Sequence, residues 1–129
     1  MNKSQRILVW NKYGKKCSYC GNPLEYKDME VDHLIPQRLG WWYRNTDKII
    51  KYGLTGTVDD FKNLMPSCHR CNHYKRAYLL ESFRALMLSI HKRILQQYIC
   101  KVAKDYGILY LTEWGGLFYF EKRMRRTKK

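Results

Sequence analysis

The chain has 129 residues, about one domain by length, with 25 lysines and arginines against 11 aspartates and glutamates, a formal net charge of +14. So cationic a chain suits a polyanionic partner, while 45% hydrophobic and 15% aromatic residues exclude a fully disordered basic protein. Apolar runs as short as Leu86–Leu88 exclude a bilayer span, which takes roughly 20 residues, so no membrane partner is expected.

In chain order, Ser4–Lys12 reads as a short helix with Ser4 as N-cap and Gly14 as its stop. Only Ile7–Trp10 is apolar before polar residues return, which is too little for a secretory h-region; a cytoplasmic setting with reduced thiols is expected. Cys17–Leu24 reads as a knuckle closed by an Asn22-Pro23 turn, with Gly21 free to take positive φ. Glu30–Ile35 reads as a strand stopped by Pro36, and residues 37–62 as a long irregular insertion rich in aromatic and basic side chains. Asn63–Met65 is short and extended, limited by Pro66, and Ser67 is placed to help cap a helix beginning near Arg70.

Leu80, Phe83, Met87, Ile90 and Ile94 recur at three and four, which predicts one helix with a core or dimer face. Gln97–Tyr106 extends the helical pattern to Gly107. Ile108–Leu111 and Leu117–Phe120, joined by Trp114-Gly115-Gly116, predict a hairpin. Lys122–Lys129, with six basic residues, reads as a flexible electrostatic tether. No repeat or linker divides the chain, so residues 1–129 read as one domain, monomeric or homodimeric.

Four of the five cysteines form two C-x-x-C pairs, Cys17/Cys20 and Cys68/Cys71, a spacing that lets four thiolates meet one tetrahedral Zn²⁺. Two disulfides would need an oxidising compartment, and a single redox C-x-x-C explains half the thiols. Cys100, in a helical stretch, reads as a small core residue.

Between the knuckles lies Val31-Asp32-His33-Leu34-Ile35-Pro36; Asn63-Leu64 precedes the second knuckle, and Asn72 and Lys75 follow it. This order of C-x-x-C-G, D-H-x-x-P, N-L, C-x-x-C-N and K resembles the HNH (ββα-metal) endonucleases of the four-cysteine type, over about residues 17–75. The resemblance implies an α+β fold: a small zinc-stapled ββα-metal core at about 17–76 with a helical C-terminal extension at about 77–129. It implies metal-dependent hydrolysis of DNA phosphodiesters, in a bacterial cell or phage-infected host. His33 would be the general base and Asn63 would orient its ring. Asp32 and Asn72 would hold a catalytic Mg²⁺ or Mn²⁺, Asp32 reaching it because the chain bends there. Imidazole suits the first role, since its unperturbed pKa lies nearest neutrality. Hard oxygens suit the second.

Each residue also has a plainer reading: Asp32-His33 as a surface pair, Asn63 as a turn residue, Asn72 as a helix cap. The third motif letter is Asn72 where the family often has His, and Leu39-Gly40-Trp41 stands where it often has Gly-Gly. Arg70, Lys75 and Arg76 are placed for phosphate contact, and Arg38 and Arg44, among Trp41, Trp42 and Tyr43, for nucleic-acid contact. Two further functions fit the composition: a zinc-ribbon DNA-binding protein that does not cleave, and an RNA-directed nuclease.

Overall fold

The computed structural model describes residues 1–37, 46–54 and 56–127. Arg38 and Arg44, with Trp41, Trp42 and Tyr43, lie outside the described residues. The architecture is mixed, a two-stranded antiparallel sheet among helices.

Helix α1 (Lys3–Asn11) begins one residue earlier than the sequence predicts. Asn2 is its N-cap: Asn2 Oδ1 accepts from Gln5 N–H at 2.8 Å and Gln5 Oε1 accepts from Asn2 N–H at 3.2 Å. This reciprocal pair satisfies two amides that Ser4 would leave open. Val9 is fully buried, and Trp10 Nε1 donates to Leu24 O at 2.6 Å, tying α1 to the first knuckle.

That knuckle closes as expected. Cys17 N–H donates to Asn22 O and Gly21 N–H to Cys17 O, both at 3.0 Å. Gly21 has φ +78°, and a Cβ there would sit 2.8 Å from the Tyr119 ring, so conformation and space both require glycine.

Strand β1 (Glu30–His33) pairs with β2 (Leu64–Ser67) in the register Glu30↔Ser67 to His33↔Leu64. Pro66 lies inside β2 rather than ending it. A two-stranded sheet leaves one side of each strand unpaired, where a missing N–H costs no ladder bond; Pro66 O still accepts from Ser18 N–H at 2.8 Å. Within the insertion, α2 (Thr46–Lys51) and a 3₁₀ turn (Phe61–Asn63) are ordered structure where an irregular segment was expected. Helix α3 (His69–Lys75) follows β2 directly. Its N-cap is Cys68, whose sulphur accepts from Cys71 N–H, while the Ser67 hydroxyl donates to Cys68 O.

The apolar stripe from Leu80 to Ile94 divides into α4 (Leu80–Leu88) and α5 (Ile90–Gln96), separated at Ser89. The helix predicted to end at Gly107 is α6 (Tyr98–Asp105), and Gly107 has φ +72°.

The expected hairpin is replaced by a different pairing. Tyr119 N–H donates to Tyr19 O at 3.0 Å and Phe120 N–H to Ser18 O at 2.8 Å, so the segment docks on the first knuckle and not on residues 108–111. The basic tail is helical as far as it is described: α7 spans Tyr119–Thr127. Glu121 caps it by accepting from Phe118 N–H at 2.9 Å and receives a two-point contact from Arg84 of α4 at 2.8 Å.

The main core therefore joins both halves of the chain. Tyr19 of the knuckle meets Phe83 and Phe118 edge-on at 5.5 and 5.7 Å, and those two rings stack at 4.8 Å. Edge-on and offset ring pairs of this kind add about 0.5–1.5 kcal/mol each beyond the area they bury. Cys17, Leu34, Met65, Leu80 and Phe120 complete the cluster. No helix among the described residues is long and apolar enough to cross a membrane.

Candidate metal centres and active site

The Sγ atoms of Cys17, Cys20, Cys68 and Cys71 all lie within 4.8 Å of one another, and the Cys20 and Cys68 sulphurs are 3.9 Å apart. Sulphurs bound tetrahedrally at 2.3 Å from zinc would be about 3.8 Å apart, so this donor set fits Zn²⁺. Bonding to Cys20 and Cys71 holds the Cys17 thiol well below its ordinary range, and bonding to Cys17 pushes Cys20 up to about 11. Backbone N–H groups of Cys68 and Cys71 point at Cys17 and Cys68 sulphurs, both at 3.4 Å, so the second knuckle is aimed by the chain itself. Cys100 stands apart from this cluster.

Period-two alternation along β1 sends Glu30 and Asp32 to one face and Val31 and His33 to the other. Asp32 faces α3. Its Oδ2 accepts from Tyr19 OH at 2.5 Å and lies 3.0 Å from Lys75 Nζ; Lys75 also donates to His33 O at 3.2 Å. Lys75 is fully buried, and desolvation holds its ammonium below the ordinary lysine range against the pull of Asp32. Lys75 is therefore no surface phosphate contact: three residues after Asn72, it shares the helix face that packs on β1.

His33 occupies the reverse face. It lines a cleft of about 790 Å³ with Val31, Arg6, Gln37, Asp59 and Phe61. Its Nε2 is 2.9 Å from Asp59 Oδ1. The expected bond from Asn63 to this ring is not made; the amide of Asn63 is used elsewhere. Asn63 is fully buried, accepting from Ile35 N–H at 2.8 Å and donating to Ile35 O and Val58 O at 3.0 and 2.7 Å. It fixes the backbone just beyond His33. The bend expected at Asp32 also comes later, after β1 has ended at His33, so Asp32 and His33 leave on opposite faces.

Asn72 lies on the Asp32 side. Its Nδ2 donates to Glu30 Oε1 at 2.7 Å, and His69 Nδ1 lies 2.7 Å from Glu30 Oε2. Bonding to Asn72, then to His69, holds the Glu30 carboxyl below its ordinary range. Sequence reasoning passed over Glu30, although its place two residues before Asp32 puts both on one face. With Asp32 and Asn72 it gives the β1–α3 seam carboxylate and amide oxygens, a donor chemistry that fits a hard divalent cation retaining waters. Arg70 and Arg76 are exposed. Arg76 takes φ +53° and ψ −137°, and Tyr78 N–H donates to Lys75 O at 3.1 Å, a tight turn that favours glycine at this position.

Residues 17–77 match the family model described as HNH endonuclease. A stretch of 78 residues, 57% of this chain, is 33% identical to the CRISPR-associated endonuclease Cas9 of Corynebacterium diphtheriae; it corresponds to 6% of that protein's length. No solved structure matches the chain significantly.

Proposed function

We propose that the chain, whose residues 17–77 match the HNH endonuclease family model, is a divalent-cation-dependent endonuclease that hydrolyses DNA phosphodiesters. His33 is the general base. Its Nε2 is engaged by Asp59 at 2.9 Å, which leaves Nδ1 to take a proton from water. That imidazole–carboxylate pair, a largely buried ring and an exposed Asp59 lining one open cleft, is the observation that supports the reading most.

Asp32 and Asn72 would hold a Mg²⁺ or Mn²⁺ ion, which when bound supplies charge for the phosphoryl oxygens. Tyr19 and Lys75 fix the Asp32 carboxylate. Because base and cation ligands leave β1 from successive residues on opposite faces, the nucleic-acid backbone crosses the end of that strand. Arg70 and Arg76, exposed at either end of α3, bind flanking phosphates, with Arg38 and Arg44 of the insertion contributing further cationic contacts. The four-cysteine zinc knuckle holds β2 and α3 in place for this chemistry.

Supercoiled plasmid and a matched RNA, each incubated with Mg²⁺ or Mn²⁺, test the reading. Wild type is expected to nick or linearise the plasmid, and His33→Ala to lose at least about 100-fold in rate, within the range of a removed general base, at unchanged zinc content. Equal cutting by the two proteins would remove His33 from the mechanism. Tight plasmid binding with no cutting would favour a non-cleaving zinc-ribbon protein, and cutting of the RNA alone would redirect the substrate.

A further inference from the structure

Glu30 bridges two side chains of α3. One carboxylate oxygen lies 2.7 Å from Asn72 Nδ2 and the other 2.7 Å from His69 Nδ1. The position of Glu30 is itself fixed, since it pairs with Ser67 at the end of the sheet nearest the second knuckle. His69 is held in turn by stacking on His73, with ring centroids 5.9 Å apart and planes 24° from parallel.

An ionised carboxylate has acceptors only, whereas an amide has a donor side and an acceptor side. At 2.7 Å, Asn72 can present only its NH₂ group to Glu30. Its Oδ1, the atom able to bind a cation, then faces the other way. Without Glu30 the amide could turn through 180° at little cost and offer NH₂ where the cation needs oxygen. Outer-layer partners of metal ligands act in this manner, and losing one weakens binding by about 10–100-fold.

We propose that Glu30 is the positioning residue for Asn72, fixing the sense of its amide so that Oδ1 is directed at the catalytic cation, with His69 steadying Glu30. This rests on the reading that Asn72 holds that cation.

The test uses the full zinc-loaded chain and Mn²⁺ binding followed by electron paramagnetic resonance, with zinc content and thermal unfolding measured on every variant. Asn72→Ala is expected to abolish the site, and Glu30→Gln to weaken Mn²⁺ binding by about 10–100-fold, because glutamine can accept or donate and no longer dictates the amide. Asn72→Asp removes the need for orientation, since both its oxygens can bind. In that background Glu30→Gln is expected to leave Mn²⁺ affinity unchanged or to raise it.

Wild-type affinity in Glu30→Gln would overturn the proposal. So would equal weakening by Glu30→Gln in the wild-type and Asn72→Asp backgrounds, which would make Glu30 a direct ligand. Weakening that tracks lost zinc or a lowered melting temperature would make its role structural and overturn it equally. Wild-type Mn²⁺ affinity in Asn72→Ala is a different failure: it removes Asn72 from the cation site, whatever Glu30 does.

Discussion

Lys75 Nζ and Asp32 Oδ2 form an ion pair 3.0 Å apart beneath β1, with 0% and 10% of their side chains exposed. Buried pairs of this kind add little net stability when intact, but losing one partner leaves an uncompensated charge. Lys75→Met is therefore expected to cost about 3–5 kcal/mol, measured by urea unfolding of zinc-loaded protein without Mg²⁺ or Mn²⁺. Adding Asp32→Asn should restore a large part of that loss. A cost under about 1 kcal/mol for Lys75→Met would contradict the geometry, being the scale of an exposed pair.

The cysteine cluster predicts a metal-dependent fold. Cys17→Ser is expected to bind less than one equivalent of zinc and to unfold at lower denaturant, because metal-binding energy in such sites is folding energy. Stripping zinc from wild type with a strong chelator should give the same shift. Zinc content equal to wild type in Cys17→Ser would dissociate the cluster from any metal.

Arg76 supplies a separable prediction. At φ +53° it occupies a region that non-glycine residues enter at a cost of about 1–3 kcal/mol. Arg76→Gly should raise stability by about 1 kcal/mol while weakening binding of double-stranded DNA and flattening its salt dependence by about one phosphate contact. Unchanged DNA binding would remove the exposed Arg76 side chain from the interface.

Lys12 sets a pH dependence. Its ammonium donates to Phe61 O and Leu64 O at 2.8 Å and to Lys62 O at 3.2 Å, and desolvation, opposed by Asp60, lowers it to about 8. The unfolded chain keeps this proton to roughly pH 10.4. Between those values the unfolded state binds more protons, so the lysine's contribution makes stability rise with pH. Wild type should gain stability relative to Lys12→Met from pH 8 to pH 10, followed by denaturation at half-unit intervals. A pH-independent difference would show that Lys12 does not titrate there.

Local chemistry was legible in the sequence and long-range pairing was not. The cysteine spacing and the Gly21 turn are fixed by ligand geometry and by φ, both readable over a few residues, and the structure has them where expected. Leu117–Phe120 has a strand's composition, but its hydrogen-bond partners are Ser18 and Tyr19, a hundred residues away, which no local pattern specifies. Lys75 read as a surface cation because lysine usually is one; only the face it shares with Asn72, directed at an acidic strand, marks it as buried. Glu30 was recoverable from alternation alone.

The backbone bonds from Tyr119 and Phe120 to the first knuckle have a consequence for biosynthesis. A nascent chain that has emerged through residue 77 carries all four sulphurs but lacks Phe83, Phe118 and Phe120, the rings that enclose Tyr19. The core around Tyr19 is thus completed only once the chain through residue 120 has been made, because domains pack as units from residues far apart in sequence.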